Sequence, residues 1–228
     1  MTDFIKFPHT PHLAWLGAGT PRDDKVLDAA ERDRFLSHDL VIEEKVDGAN
    51  LGISVSVDGE VRAQNRGEYL RPDVGGQFER LWPWLKARED ALFDALGQGL
   101  VLYGEWCLAR HSVAYASLPD WFLAFDVWDK QAGRFWSTPR RNELTRRLGL
   151  ATVPEVARGR FDLPGLRALL GPSRLGAPSL EGVYLRVEDG DFLIDRAKLV
   201  RPEFVQAIGE HWSRGVLRRN EVIRSGLG

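Results

Sequence analysis

Hydrophobic residues recur along this chain at two different periods, and the switches between them mark out its elements. Leu51, Ile53, Val55 and Val57 alternate with smaller or polar residues, the period-two pattern of a half-buried strand. Asp58-Gly59 then signals a hairpin turn that returns through Glu60–Asn65. Leu40–Glu44, Leu100–Cys107 and Trp121–Asp129 are apolar runs of strand length, and Gly182–Glu188 and Phe192–Val200 flank a second hairpin signal, Asp189-Gly190.

Helical spacing appears between these runs. Asp28–Leu40 predicts a short helix, and Gln77–Leu96 a longer one with Phe78, Leu81, Leu85, Leu92 and Leu96 on one face and Pro83 bending or splitting it. Thr138 as N-cap and Pro139 at the first helical position open Arg140–Leu148, and Gly149 closes it. Phe161–Leu170 predicts another short helix. Glu203–Ile223 predicts a final amphipathic one, with Phe204, Ile208, Trp212 and Val216 four residues apart. The first forty residues read as irregular, punctuated by Pro8, Pro11, Gly17, Gly19 and Pro21. Short strands joined by hairpins and separated by helices, without strict βαβ alternation, predict an α+β fold. One domain over 1–228 is expected, irregular over 1–40 and ending in a helical tail at about 202–225.

Composition narrows the class. An apolar share of 43% and a charged share of 28% suit a chain that buries a core. One cysteine, Cys107, excludes a disulfide framework or a cysteine metal site and makes a reducing, cytoplasmic setting the default. No apolar run reaches the length of a membrane span or a signal-peptide core, so no membrane partner is expected. A net charge of −2 and a pI of about 6.2 argue against a protein that coats polyanions wholesale. Two local basic clusters remain, Arg134, Arg140, Arg141, Arg146 and Arg147 in mid-chain and the stretch from Arg196 onward. Each could track a phosphate backbone or simply be a solvated face. The five histidines, among them His9, His12 and His111, show no metal-ligand spacing. Of the eight tryptophans, Trp82 and Trp84 beside Pro83 are the candidates for stacking on bases. No P-loop or Rossmann glycine signature is present. Phe7-Pro-His-Thr-Pro-His-Leu13 is too specific for a disordered tail, yet nothing in its pattern says what it does.

The candidate chemistry centres on Lys45-Val46-Asp47-Gly48-Ala49-Asn50, between two strand-like runs. A lysine, then an acid and a glycine opening a hairpin, can present one amine to a phosphorus atom. Alone, K-x-D-G is short enough to arise by chance, and the bland alternative is a surface lysine beside a turn. An exposed lysine is only about 0.04% neutral at pH 7. Its deprotonation there costs about 4–5 kcal/mol without help. A bound metal and the charges of Arg196 and Lys198 are the expected help. Four further motifs follow in order: Tyr103-Gly104-Glu105-Trp106, Phe125-Asp126-Val127, Leu180-Glu181-Gly182-Val183-Tyr184 and Arg196-Ala197-Lys198.

With these companions the chain resembles the covalent nucleotidyltransferase superfamily of ATP-dependent ligases and mRNA-capping enzymes, and most of all its nick-sealing RNA ligases, from about Val41 to Phe204. The resemblance implies two antiparallel sheets flanked by helices with ATP in the groove between them. It implies that Lys45 becomes adenylylated and that AMP passes to a 5′-phosphate RNA end, which a 3′-hydroxyl then attacks. Asp47 stands where capping enzymes and DNA ligases carry aspartate and some RNA ligases carry histidine. Asn50 matches an asparagine near the reacting phosphate, and Arg66, after Asn65, an arginine that meets the ribose or the incoming 5′-phosphate. Glu105 would accept from the ribose hydroxyls, beside a glycine that lets the sugar approach. Phe125 would stack on the base, with plain core as its competitor, and Asp126 would join the nucleotide site. Glu44, just before the lysine, belongs to the same nucleotide-contacting set.

Glu181, with Glu105, would hold Mg2+ or Mn2+. Arg196 and Lys198 stand for a Lys-x-Lys clamp on the α-phosphate. The arginine departs from that pattern, and Arg201 is an alternative to it. A minimal DNA ligase and a capping guanylyltransferase remain alternatives, as does a nucleic-acid-binding module with a degenerate site. The short stretch after Phe204 leaves no room for an appended OB domain, which favours the RNA ligase. The implied partners are RNA ends carrying a 3′-hydroxyl and a 5′-phosphate, and an end-healing kinase or phosphatase that prepares them.

Overall fold

The computed structural model describes residues 4–18, 25–206 and 217–223. Among the described residues nine strands pair antiparallel into two sheets. The first has the order β7-β1-β8-β9, with β1 Leu40–Lys45, β7 Glu155–Gly159, β8 Gly182–Asp189 and β9 Phe192–Val200. The second runs β3-β2-β4-β5-β6, with β2 Ala49–Val55, β3 Val61–Gln64, β4 Leu100–Trp106, β5 Phe122–Asp129 and β6 Arg134–Phe135. The α+β class expected from the pattern and the two antiparallel sheets implied by the resemblance are therefore present.

Both hairpin signals form turns, with Gly59 at φ +83° and Gly190 at φ +55°, conformations that favour glycine. The alternation over Leu51–Val57 differs from a half-buried strand: β2 stops at Val55, and Gly52 and Ser54 are as buried as Leu51 and Ile53. The apolar side packs on α2 (Leu81–Lys86) and α3 (Glu89–Leu96), while Gly52 lies under the side chains of Gln64 and Tyr103.

Helix α1 covers Ala29–Leu36, opened by a capping box in which Asp28 and Glu31 bond each other's backbone amides. The helix expected over Gln77–Leu96, with Pro83 bending or splitting it, is a 3₁₀ turn, Gly76–Phe78, followed by α2 and α3. Pro83 sits in the first turn of α2, where its missing N–H is harmless, and the break falls later, at Ala87 and Arg88. The cap of α4 (Thr138–Arg147) is Ser137 rather than Thr138, because the Glu188 carboxylate takes both the amide and the hydroxyl of Thr138. Helix α5 covers Leu163–Ala168, with Asp162 as its cap.

The expected C-terminal helix is seen only as α6, Pro202–Gln206. Leu217–Ile223 is extended and bridged to Ala109 and Leu118, while Ile208, Trp212 and Val216 lie outside the described residues. Trp84 is core, edge-on to Trp106, and the Trp82 indole donates to the Arg71 carbonyl.

Between the sheets lies a buried ion network that no local pattern announces. Arg141 of α4 donates to both oxygens of Glu43 on β1 and to the Phe125 carbonyl on β5. Arg186 of β8 pairs with Asp126 of β5 at 2.7 Å and with Glu188 at 2.8 Å, and donates to the Trp136 carbonyl. Glu43, Asp126, Arg141 and Arg186 are all at most 1% exposed. Such charges are tolerated because each carries several partners, and removing one partner strands the other. The mid-chain arginines thus do not form one patch. Arg141 is buried, Arg146 and Arg147 pair with Glu143, and Arg134 and Arg140 lie over the Phe192 and Trp136 rings.

Candidate active site

Lys45 ends β1, in register with Gly182 at the start of β8. That register sets Glu181 against it, and the Lys45 Nζ donates to both Glu181 oxygens at 2.7 Å. Burial alone would pull the amine down. The carboxylates of Glu181, Glu105 and Asp47 outweigh it and hold Lys45 above the ordinary lysine range. The expectation that Arg196 and Lys198 lower the Lys45 pKa is therefore reversed in this state, where acids rather than cations dominate its surroundings.

Asp47 holds the loop opposite. Its Oδ2 accepts from the amides of Ser112 (2.6 Å) and Val113 (2.8 Å), and its own amide donates to the Tyr115 hydroxyl at 2.8 Å. Its Oδ1 faces the His111 ring at 3.9 Å, and His111 in turn meets Gln77. Leu217–Ile223 clips the same loop from behind. Asn220, 5% exposed, accepts from the Tyr115 amide and donates to the carbonyls of Cys107 and Ala109. Sequence reasoning missed Asn220, because its value lies in contacts more than a hundred residues away.

A groove with about 610 Å³ of empty space, part of it open to solvent, runs from Lys45 between the sheets. One end is charged, with Lys45, Lys198, Arg66 and Glu105; the other is largely apolar, with Phe7, Phe125, Val153 and Tyr184. Asn50 and Glu105 are register partners on β2 and β4. Both amide atoms of Asn50 and Oε2 of Glu105 are buried without a hydrogen-bond partner. A fold rarely leaves such atoms orphaned unless a ligand completes them. Burial pushes the Glu105 carboxyl up to about 8 despite Lys45 and Arg66, with Glu181 and Asp47 adding to the rise.

Phe125 reaches the groove through a bulge. Tyr103 pairs with Asp126 and Gly104 with Ala124, which leaves Phe125 unpaired and re-aimed out of the alternation that would have placed it in the core. Packing by itself requires Gly104: a Cβ there would lie 2.3 Å from the Phe122 ring.

Other expected residues turn away from the groove. Asp126 is fully buried and spent on Arg186 and, at 3.1 Å, Arg196. Arg196 stacks on the Phe135 and Phe7 rings, and the alternative, Arg201, donates to the Leu170 carbonyl and Glu203. Of the three basic candidates for the α-phosphate, Lys198 is the one that lines the groove. The Glu44 side chain accepts from the Ser173 hydroxyl and the Arg174 amide, so any contribution it makes to a nucleotide comes from the β1 backbone.

The residues present fit a divalent cation of the hydrated kind. Glu105 and Glu181 are hard oxygen donors facing one ammonium, and Glu105 has an orphaned oxygen. Among the described residues no three His, Cys, Asp or Glu side chains converge. Two carboxylates with water and phosphate oxygens completing the shell suit Mg2+ or Mn2+.

An amine at the charged end of a groove between two antiparallel sheets defines a nucleotidyltransferase fold. The family model described as RNA ligase matches residues 38–200, and the chain belongs to the RNA ligase family. A lysine-to-alanine variant of the Naegleria gruberi RNA ligase with ATP and Mn superposes with a TM-score of 0.62 at 16% identity, covering 90% of this chain and 58% of that one. An apo variant of the Naegleria gruberi RNA ligase R4a gives 0.63 at 15% identity with the same coverage. The same ligase with PPi gives 0.59 at 16%. The chain thus spans a little over half the length of these structures. A comparison with curated proteins gave no match.

Proposed function

We propose that this chain is an ATP-dependent RNA ligase acting through a lysyl-adenylate on Lys45. The observation that carries the reading is the placement of Lys45 between two carboxylates at the charged end of a groove whose far end is aromatic. That polarity suits a nucleotide, with the base among Phe125, Phe7 and Tyr184 and the phosphates toward Lys198 and Arg66. The similarity to the Naegleria gruberi RNA ligase with ATP and Mn and with AMP and Mn supports the same choice.

In the first step the Lys45 Nζ attacks the α-phosphorus, a P–N bond forms, and the bond to pyrophosphate breaks. The amine must lose a proton, and Glu181 at 2.7 Å is the acceptor in place, its carboxyl already shifted toward protonation by burial. Lys198 steadies the α-phosphate. A divalent cation held by Glu105 and Glu181 would neutralise phosphate charge. In the second step an RNA 5′-phosphate oxygen takes the AMP and Lys45 regains a free amine. In the third a 3′-hydroxyl attacks the activated phosphate, forms the phosphodiester and expels AMP. Asn50 and Arg66 orient the end, and Asp47 holds the loop that shapes the entrance. Substrate ends must therefore carry a 5′-phosphate and a 3′-hydroxyl, which an end-healing kinase or phosphatase would supply. We place the reaction in the cytoplasm, in keeping with the buried free thiol of Cys107.

The test is transfer of label from α-labelled ATP and GTP to wild type, Lys45→Ala and Lys45→Arg, followed by sealing of nicked RNA and nicked DNA. Label from ATP alone, lost in both variants, with RNA sealed in preference, is the expected result. Label that survives in Lys45→Ala would remove Lys45 from the role.

A further inference from the structure

Phe7–Leu13 acquires a location in the structure that its sequence did not disclose. It is a strap tied to both sheets. At one end the Ile5 carbonyl accepts from Gln64 Nε2 (2.8 Å) on β3 and from the Tyr103 hydroxyl (2.6 Å) on β4. At the other, Lys198 of β9 donates its amide to Pro11 and accepts from the amide of Leu13. Phe7 is buried beneath, edge-on to Phe125 at 5.2 Å. Between these anchors, Thr10 and His9 face the groove.

Thr10 places a polar group at the aromatic end. Its Oγ1 lies 2.8 Å from the Tyr184 hydroxyl, which also accepts from Arg196 at 3.4 Å. Either oxygen can donate within the pair, and whichever does, the other hydroxyl keeps a proton of its own to donate. Phe7, Phe125 and Val153 line the groove with the pair, and of its polar neighbours Glu43 is bonded to Arg141 and Glu44 to Ser173 and Arg174, so the hydroxyl pair, with His9 beside it, is the polar group offered to a base edge.

Building on the nucleotide reading above, we propose that the strap is part of the nucleotide site and that the Thr10–Tyr184 hydroxyl pair selects the base. The pair takes a purine that presents an acceptor nitrogen to its free hydroxyl proton, as adenine does at N1, and disfavours guanine, whose N1 carries a hydrogen. A polar site of this kind rejects the analogue that leaves its buried group unpaired. Thr10→Val keeps the shape and removes one hydroxyl of the pair, and Tyr184→Phe removes the other.

Equilibrium titration with α,β-methylene ATP and GTP, which cannot release pyrophosphate, reads base selection without turnover. Thr10→Val is expected to weaken the adenine analogue about 2- to 12-fold, the range for one net hydrogen bond. The guanine analogue should be little changed, so the preference narrows. Tyr184→Phe should do the same, and the double variant should be no worse than the worse single one, because the pair acts as a unit. An unchanged preference in Thr10→Val overturns the proposal. So does an equal loss for both analogues together with a lower melting temperature, which would make the strap purely structural. Wild-type labelling with ATP is run alongside. If no adenylate forms but base preference still depends on Thr10, the ligase reading has failed and the base-selecting strap stands.

Discussion

Replacing Glu105 with glutamine, in protein stripped of divalent metal, measures what it costs to keep two carboxylates near one ammonium. Burial holds the Glu105 carboxyl at about 8, against an ordinary value of 4.5. A raised acid keeps its proton longer in the folded state. Its stabilising contribution is therefore complete below about 4.5 and is lost as pH rises to about 8. Between pH 6 and 8 the wild type should lose about 2 kcal/mol, the slope falling from about 1.4 kcal/mol per unit to about half that at the folded pKa. The groove is open to water, and screening reduces this to about 1–2 kcal/mol. Glutamine does not titrate and escapes that loss. For a chain of this size the melting temperature of Glu105→Gln should gain on wild type by roughly 3–6 °C between pH 6 and 8, and then by no more. Melting curves across pH 5.5–9 in chelator provide the assay. Adding Mn2+ at high pH should raise the wild type and leave the variant nearly unmoved. A gap that stays constant with pH would refute the buried, proton-holding Glu105.

Asp126→Ala leaves Arg186 and Arg196 facing each other without their shared anion. It should cost about 3–5 kcal/mol, seen as a fall of roughly 10 °C or more on melting. Asn50→Ala removes an amide that makes no hydrogen bond in the fold, so melting should hardly move. Lysyl-adenylate should form at near-normal yield, while single-turnover sealing of pre-adenylylated RNA slows about 10²–10³-fold; a fall in all steps with the melting temperature would make Asn50 structural. Asn220→Ala should cost about 1–3 kcal/mol by stranding buried partners. Hydrogen exchange should quicken at the amides of 107–118, and Lys45 adenylylation should slow because Asp47 loses a firm partner.

Strands were legible where apolar runs met glycine turns, so β9 falls where the alternation placed it and both hairpins close as expected. Long-range competition was not legible. Thr138 lost its capping role to Glu188, fifty residues on, and Phe125 escaped the core through a bulge that no spacing reveals. Of the candidate site, Lys45, Asn50, Arg66, Glu105, Phe125 and Lys198 come together at one groove. Asp126 and Arg196 looked like ligand contacts because buried charge and motif position suggest function, but here they neutralise each other beneath the floor. Glu43, Arg141, Arg186 and Asn220 carried no local signal, since each matters only through partners brought close by the fold. The strap carried a signal in its unusual composition, and only the sheet register shows what it touches.

The most direct test of the account is the site of covalent modification. Wild-type protein incubated with ATP and Mg2+ should gain the mass of one AMP, removable by pyrophosphate. Peptide mapping should place it on Lys45 and on no other lysine. Adenylate on Lys198, or an ATP-treated protein that stays unmodified while sealing RNA, would contradict the central claim.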